Sequence, residues 1–307
     1  MEDLLWSGCL QIVVYDIIAQ SGNDSVVRRE YMRYEFTKMQ SLGNDFIVLD
    51  GVSNEINLSA GVARKLADRH FGVGCDQVLL AQPDKSTTAE FVFRIFNQDG
   101  SEVEQCGNGA RCLARFLYDL GLTKNKTIRV RTQNLVMTLN INMDESVTVE
   151  MGIPEFTPEN IPFVADQPAS IYTLDLGGDK VKISAVAIGN PHAVQLVQDI
   201  TIAPVESQGS LIENHPRFPA RVNAGFMQVV ARDHVNLRVY ERGAGETLGC
   251  GSGACAAVAA GISLGMLDSQ VRVSLPGGDA LVDWNGMNQP IFLSGSAQFV
   301  FRGSIEL

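Results

Sequence analysis

A cysteine at the mouth of a glycine turn occurs twice in the same setting, as Gln105-Cys106-Gly107-Asn108-Gly109-Ala110 and as Gly249-Cys250-Gly251-Ser252-Gly253-Ala254. Each copy runs straight into an apolar stretch with helical spacing, residues 110–120 and 254–264. The two cysteines lie 144 positions apart, about the length of one domain. Such a chain is constrained to build two related halves, each with a thiol at the start of a helix. The two thiols are expected to face one another across a cleft and to work as a pair.

Other segments return in the same order. Leu42-Gly43-Asn44 reappears as Ile188-Gly189-Asn190, and Gly74-Cys75-Asp76-Gln77-Val78 as Gly225-Phe226-Met227-Gln228-Val229. Phe93-Arg94-Ile95-Phe96 is echoed by Leu237-Arg238-Val239-Tyr240, Glu102 by Glu246, and Ile128-Arg129-Val130 by Val271-Arg272-Val273. A period this long is a duplicated domain rather than a solenoid. Strand patterns cover residues 35–39, 47–49, 78–81, 91–96, 127–132, 135–142 and 147–151, and a helix is expected over 60–70. On the first cysteine helix Ala110, Leu113, Ala114 and Leu117 share the inward face, with Arg111, Arg115 and Asp119 on the other.

The expected class is α+β, with two pseudo-symmetric domains from an internal duplication, each a mixed β-sheet or barrel wrapped around a central apolar helix. Residues 32–150 form the first domain, with a C-terminal strand in 296–307 returning to it. Residues 151–295 form the second, entered through glycine and proline punctuation over 152–168. Residues 1–31 are read as an N-terminal extension outside the fold, either a tail or an upstream start-site artefact. Met32 directly precedes the first clear strand, and Ser21-Gly22-Asn23-Asp24-Ser25 carries no core pattern, although residues 11–15 could form a strand.

Composition narrows the function. At 307 residues with 45% hydrophobic content, each half can bury its own core. A net charge of −11 leaves no basic footprint for nucleic acid or an anionic membrane. Six scattered cysteines do not make a disulfide scaffold, no apolar run is long enough to span a bilayer, and Glu2, Asp3 and Asp16 do not fit a signal peptide. A reducing cytoplasm is the expected setting, and it would keep a cysteine pair as thiols.

A thiol at a helix N-terminus feels the positive end of the macrodipole and is expected to ionise more easily than usual. The same free N–H groups hold anions. Two such starts facing each other can bracket a carbon whose carboxylate both of them hold. One cysteine as thiolate then removes an α-proton while the other as thiol delivers one to the opposite face, which is racemisation or epimerisation. Blander readings exist. A lone cysteine in a glycine turn is usually a small buried residue, but a matched pair is not explained that way. Neither copy has Cys-x-x-Cys redox spacing, and Cys112, Cys255 and the four histidines do not cluster as a zinc site. Gly249-x-Gly251-x-x-Ala254 fits a dinucleotide fingerprint, yet the strand over 237–240 ends too early for it.

Taken with Leu42-Gly43-Asn44-Asp45-Phe46, Gly189-Asn190-Pro191-His192, Glu241-Arg242-Gly243-Ala244-Gly245-Glu246-Thr247 and Cys250-Gly251-Ser252-Gly253-Ala254-Cys255-Ala256, the two cysteine motifs resemble the diaminopimelate epimerases from about Tyr34 to the C-terminus. The resemblance implies a pyridoxal-phosphate-independent amino-acid racemase that interconverts LL- and meso-diaminopimelate, feeding lysine and peptidoglycan synthesis. It implies no metal or organic cofactor, a small-molecule substrate and a homodimer. Cys106 and Cys250 would be the acid/base pair, with Gly107-Asn108 and Gly251-Ser252 holding the carboxylate of the reacting centre. Asn44, Gln77, Asn97, Asn190, Asn223 and Arg242 would gather the remaining polar groups. Glu241 would bind near the reacting amine, and His192 and Glu241 would set the cysteine pKa values. A proline-type racemase of the same fold, or a thiol redox protein, are the alternative readings. The chain departs from the family pattern at Gln40-Ser41, where His-Gly is more usual, and at Cys75, read as an additional oxidisable thiol near the site.

Overall fold

The computed structural model describes residues 13–17, 28–86, 88–103 and 106–307. Most of the expected N-terminal tail, at 1–12 and 18–27, and Gln105 of the first motif lie outside the described residues. The first half of the chain contains β1 (Val13–Ile17), β2 (Arg28–Ser41), β3 (Asn44–Asp50), α1 (Ala60–Ala67), β4 (Gln77–Pro83), β5 (Phe91–Asn97), β6 (Glu102–Val103), α2 (Gly107–Asp119), β7 (Thr127–Arg131), β8 (Val136–Ile141) and β9 (Val147–Glu150). The second contains β10 (Tyr172–Asp175), β11 (Lys180–Ala187), β12 (Pro191–Leu196), α3 (Val205–Glu213), β13 (Asn223–Ala231), β14 (His234–Glu241), β15 (Gly245–Thr247), α4 (Gly251–Ser263), β16 (Gln270–Leu275), β17 (Gly278–Trp284) and β18 (Ile291–Gly295). The last strand, β19 (Gln298–Glu306), pairs antiparallel with β2.

The two halves pair their strands alike. Parallel β3–β4 matches parallel β12–β13, antiparallel β4–β5 matches β13–β14, and parallel β5–β7 matches β14–β16. The antiparallel pair β9–β18 joins the halves edge to edge. This is the expected α+β class with internal pseudo-symmetry. The repeated Arg-Glu pair shows the duplication at side-chain level. Arg94 grips Glu102 through two bonds of 2.8 Å, and Arg238 grips Glu246 through bonds of 2.6 and 2.7 Å. Bidentate, half-buried forks of this kind pin β6 and β15, which lead into the cysteine turns.

One expected repeat match is displaced. Phe46 faces Gln77 in the first half and His192 faces Asn223 in the second, so Asn223 is the counterpart of Gln77, five positions before Gln228. The glycine misled the alignment. Gly74 lies in a turn at φ +82°, whereas Gly225 is inside β13. Alternating apolar residues fit either register in sequence, and only the parallel ladder decides between them.

Helix α1 stops at Ala67, short of the expected residue 70, because Asp68 turns out of helical geometry and its carboxylate accepts the N–H groups of His70 and Phe71 at 2.7 and 2.8 Å. Strand β2 starts at Arg28, and residues 28–32 pair with β1. Helix α4 is apolar all round and is buried from Gly253 to Gly261, as a helix at the centre of a wrapped sheet must be. Helix α2 differs from the expected two-faced pattern, since Arg111 is fully buried. One continuous core runs through both halves, from Met39 and Phe46 past Leu113 and Ala257 to Trp284 and Leu293. No helix among the described residues is long and apolar enough to cross a membrane.

Candidate active site

Cys106 and Cys250 occupy equivalent positions, the N-caps of α2 and α4, both with extended backbone. The Cys106 Sγ accepts the Gly109 N–H at 3.3 Å, and the Cys250 Sγ lies 3.7 Å from Ser252 Oγ. The glycines keep these turns tight. A Cβ on Gly253 would stand 3.2 Å from the Cys250 sulfur, and one on Gly251 would stand 2.8 Å from Leu293. The two helix starts meet through Asn108, whose Nδ2 donates to the carbonyl of Gly249 at 2.9 Å. A Cβ on Gly251 would also lie 3.4 Å from Asn108 Oδ1. A side chain of the first half is thus seated against the residues on both sides of Cys250.

Asn44 joins this hub. It follows the two-residue turn Leu42-Gly43, where both residues have positive φ (54° and 78°) as a tight hairpin demands. Its Oδ1 lies 4.0 Å from the Cys106 sulfur and accepts Asn108 Nδ2 at 3.4 Å. Glu241 accepts the Thr247 hydroxyl, and its carboxylate acts on the Cys250 thiol. The hub therefore holds Asn44, Cys106, Asn108, Glu241, Cys250 and Ser252, with Gly107 and Gly251 opening the helices.

The other expected residues form two neighbouring groups. Gln77 and Asn97 pair across β4 and β5 at 3.0 Å, and among the described residues Gln77 Oε1 is buried without a partner. Asn190 and His192 bond at 3.0 Å, and Asn223, opposite His192, accepts the Arg242 N–H at 2.8 Å. The Arg242 guanidinium is exposed and reaches the Ala220 carbonyl at 3.0 Å. Among the described residues, none of these five amide and guanidinium side chains is bonded to either thiol.

The electrostatics reverse one expectation. Burial pushes the Cys106 thiol up to about 11 and the Cys250 thiol well above its ordinary value, and the Glu241 carboxylate raises both further. The helix-start N–H groups of Gly109 and Gly253 act the other way and do not prevail. Desolvation of a thiolate outweighs one or two N–H bonds both at Cys250, which is buried, and at Cys106, which is partly buried. His192 is held neutral, brought down to about 3 by burial and then by Arg242, so it offers no positive charge to a cysteine. Burial likewise raises the Glu241 carboxyl.

Several site residues were not foreseen. Asp76 accepts Asn44 Nδ2 at 2.7 Å and so turns the amide oxygen of Asn44 toward Cys106. Behind it, Asp45 is clasped by Lys38 and by both ends of the Arg69 fork, which also bonds Asp76. Ser41, a departure from the family pattern, reaches the hub through Arg111, which donates both to it and to Asn108. Cys75 is fully buried in the core beside Ile47 and Val78, with its thiol pushed up to about 12 by burial, so the reading of it as an oxidisable thiol is corrected.

The Asp45 cluster has a pH signature. Burial alone would raise this carboxyl, but the bonds from Arg69 and Lys38 outweigh it and hold it at about 2, against 3.8 unperturbed. A depressed carboxyl contributes stability that is fully present above its unfolded pKa and lost as pH falls through the folded one. Asp45→Asn is therefore expected to be less stable than the parent in urea at pH 5, with the gap closing between about pH 4 and pH 2. A gap that stays constant over that range would contradict the assignment.

The pseudo-symmetric fold of two sheet-wrapped helices is shared with solved structures. A hydroxyproline epimerase from Agrobacterium vitis superposes with a TM-score of 0.66 at 16% identity, covering 90% of this chain and 93% of that one. Methylitaconate-delta-isomerase gives 0.61 at 12%, covering 90% and 96%. At such identities the likeness concerns the fold. The chain itself belongs to the diaminopimelate epimerase family, whose model matches residues 36–157 and 184–300. The diaminopimelate epimerase of Nitrosospira multiformis is 55% identical over 276 residues, covering 90% of this chain and 99% of the relative. That of Azoarcus sp. strain BH72 is 54% identical, covering 90% and 100%.

Proposed function

We propose that the protein interconverts LL- and meso-diaminopimelate by two-base proton transfer between Cys106 and Cys250, supplying precursors of lysine and peptidoglycan in a reducing cytoplasm. The observation that carries this reading is the meeting of two equivalent thiol-capped helix starts through Asn108, in a chain half identical to diaminopimelate epimerases over their full length. The N–H groups of the Gly107-Asn108 and Gly251-Ser252 turns would hold the carboxylate of the reacting carbon between the two sulfurs. Asn44, Gln77, Asn97, Asn190, Asn223 and Arg242 would receive the polar groups of the long, doubly zwitterionic substrate.

Glu241 gives the thiols a reason to ionise only when substrate is present. Its carboxylate raises both cysteines. An ammonium group docked on Glu241 would cancel that field, so one thiol could release its proton once the substrate is seated. The thiolate would then take the α-proton, and the opposite thiol would give its own to the other face of the carbanion. Hydrogen-bond donors fixed in a site closed to water would stabilise the developing negative charge. His192, neutral, would orient Asn190 rather than supply charge.

Incubation of reduced protein with LL-diaminopimelate, followed by chiral chromatography, tests the substrate. The expected product is the meso isomer, with no turnover of proline or 4-hydroxyproline. Turnover of the cyclic amino acids instead would move the reading to the proline-type alternative.

A further inference from the structure

Arg111 is buried to 0% exposure, and among the described residues no carboxylate pairs with it. Its Nε and Nη2 both reach the Ser41 hydroxyl, at 3.1 and 2.9 Å, and Nη2 also donates to Asn108 Oδ1 at 2.7 Å. Among the described residues Nη1 is buried with no hydrogen-bond partner. Gly295 makes room for the guanidinium, since a Cβ there would stand 3.1 Å from Nε. The ionisable groups that act on it are thiols: Cys112 and Cys106 from its own helix and its start, and Cys255 from α4. A buried guanidinium with an idle N–H and no anion is a costly arrangement for a fold to keep. The cost makes sense where an anion appears during function.

We propose that Arg111 is a positioning residue whose fork fixes Asn108 between the two cysteine-bearing helix starts, and whose unpaired charge is the standing counter-charge to a thiolate formed at Cys106. This rests on the two-base reading above. The hydrogen-bond path is continuous, from Ser41 through Arg111 and Asn108 to the Gly249 carbonyl beside Cys250. The same Asn108 bonds Asn44, which lies against the Cys106 sulfur. One guanidinium therefore orients the side chain that joins the two cysteine-bearing helix starts. Among the described residues, the charged and titratable groups facing Cys106 are Glu241 from β14 and, from α2, Arg111 and Cys112, so Arg111 is the one cation among them.

The test follows the pH dependence of Cys106 alkylation by iodoacetamide, read by peptide mass spectrometry, together with steady-state kinetics. In Arg111→Met the alkylation midpoint is expected to rise by roughly one unit. Its kcat is expected to fall about 100-fold while KM rises only a few-fold, since the loss falls on the transition-state anion. Arg111→Lys keeps the charge without the fork, so it should retain the parent alkylation profile and still lose kcat. Ser41→Gly removes two anchoring bonds and should lower kcat by about threefold. The lysine and Ser41 variants keep the test alive if the methionine variant does not fold. Parent kcat and parent alkylation profile in a folded Arg111→Met or Arg111→Lys protein would overturn the proposal. Alkylation needs no substrate, so failure of the parent to turn over diaminopimelate would count against the proposed function and leave the Arg111 readout intact.

Discussion

Replacing Cys106 or Cys250 with alanine is expected to remove at least about 1,000-fold of the epimerase activity in both directions, because each sulfur is base one way and acid the other. A mechanism with one essential base would show a different pattern, with one variant silent and the other nearly unaffected. Structure should survive in both cases. Each change removes a single sulfur at an N-cap position whose backbone is already held by the first helical bond, from Ala110 to Cys106 or from Ala254 to Cys250. Circular dichroism and urea midpoints close to those of the parent would show that the lost rate is chemical. Parent-like activity in either variant would remove that cysteine from the mechanism.

Gly277→Ala should destabilise the protein strongly. A Cβ there would stand 2.0 Å from the Leu42 carbonyl oxygen and 3.0 Å from that of Leu248, both backbone atoms that cannot rotate away. The Gly277 N–H also bonds the Leu248 carbonyl at 2.7 Å, so the residue cannot simply back off. Leu42 is already at φ 54°, and Gly249 presses on the same turn, where a Cβ would come within 2.6 Å of the Leu42 oxygen. Overpacking of this kind is expected to cost about 3 kcal/mol. The turn it displaces carries Asn44, so kcat should fall along with stability, by about 100-fold for a shift near 1 Å. Unchanged urea midpoint and kcat would show that the two halves yield more easily than the contacts indicate.

Much of this fold was legible because duplication compares the chain with itself. The matched cysteine turns, the Arg94 and Arg238 strands and the two apolar helices all recur where the pairing places them. The errors have physical causes. Gly225 resembled Gly74 in sequence, but only the ladder shows that Asn223 stands where Gln77 stands. Helix α3 escaped notice because Val205–Glu213 has a weak apolar stripe and a glycine at its centre. Arg111 reads as a solvent-face residue in sequence because a charged residue at helical spacing usually belongs there. Its burial depends on Ser41 and Gly295, which lie far from it along the chain. The thiol pKa values went wrong for a related reason, since a helix start is visible in sequence and the depth of its burial is not. Asp76 gave a signal that could have been read, an acid directly before Gln77 in a loop facing the Asn44 turn.

Proton exchange in D2O tests the central claim most directly. Reduced protein incubated with LL-diaminopimelate should yield meso product carrying deuterium at the inverted α-carbon, because the conjugate thiol delivers a solvent-exchanged hydron. Exchange should be absent in Cys106→Ala and Cys250→Ala. Meso product without α-deuterium, or deuterated meso product that still forms when either cysteine is removed, would contradict abstraction by one sulfur and delivery of a different proton by the other.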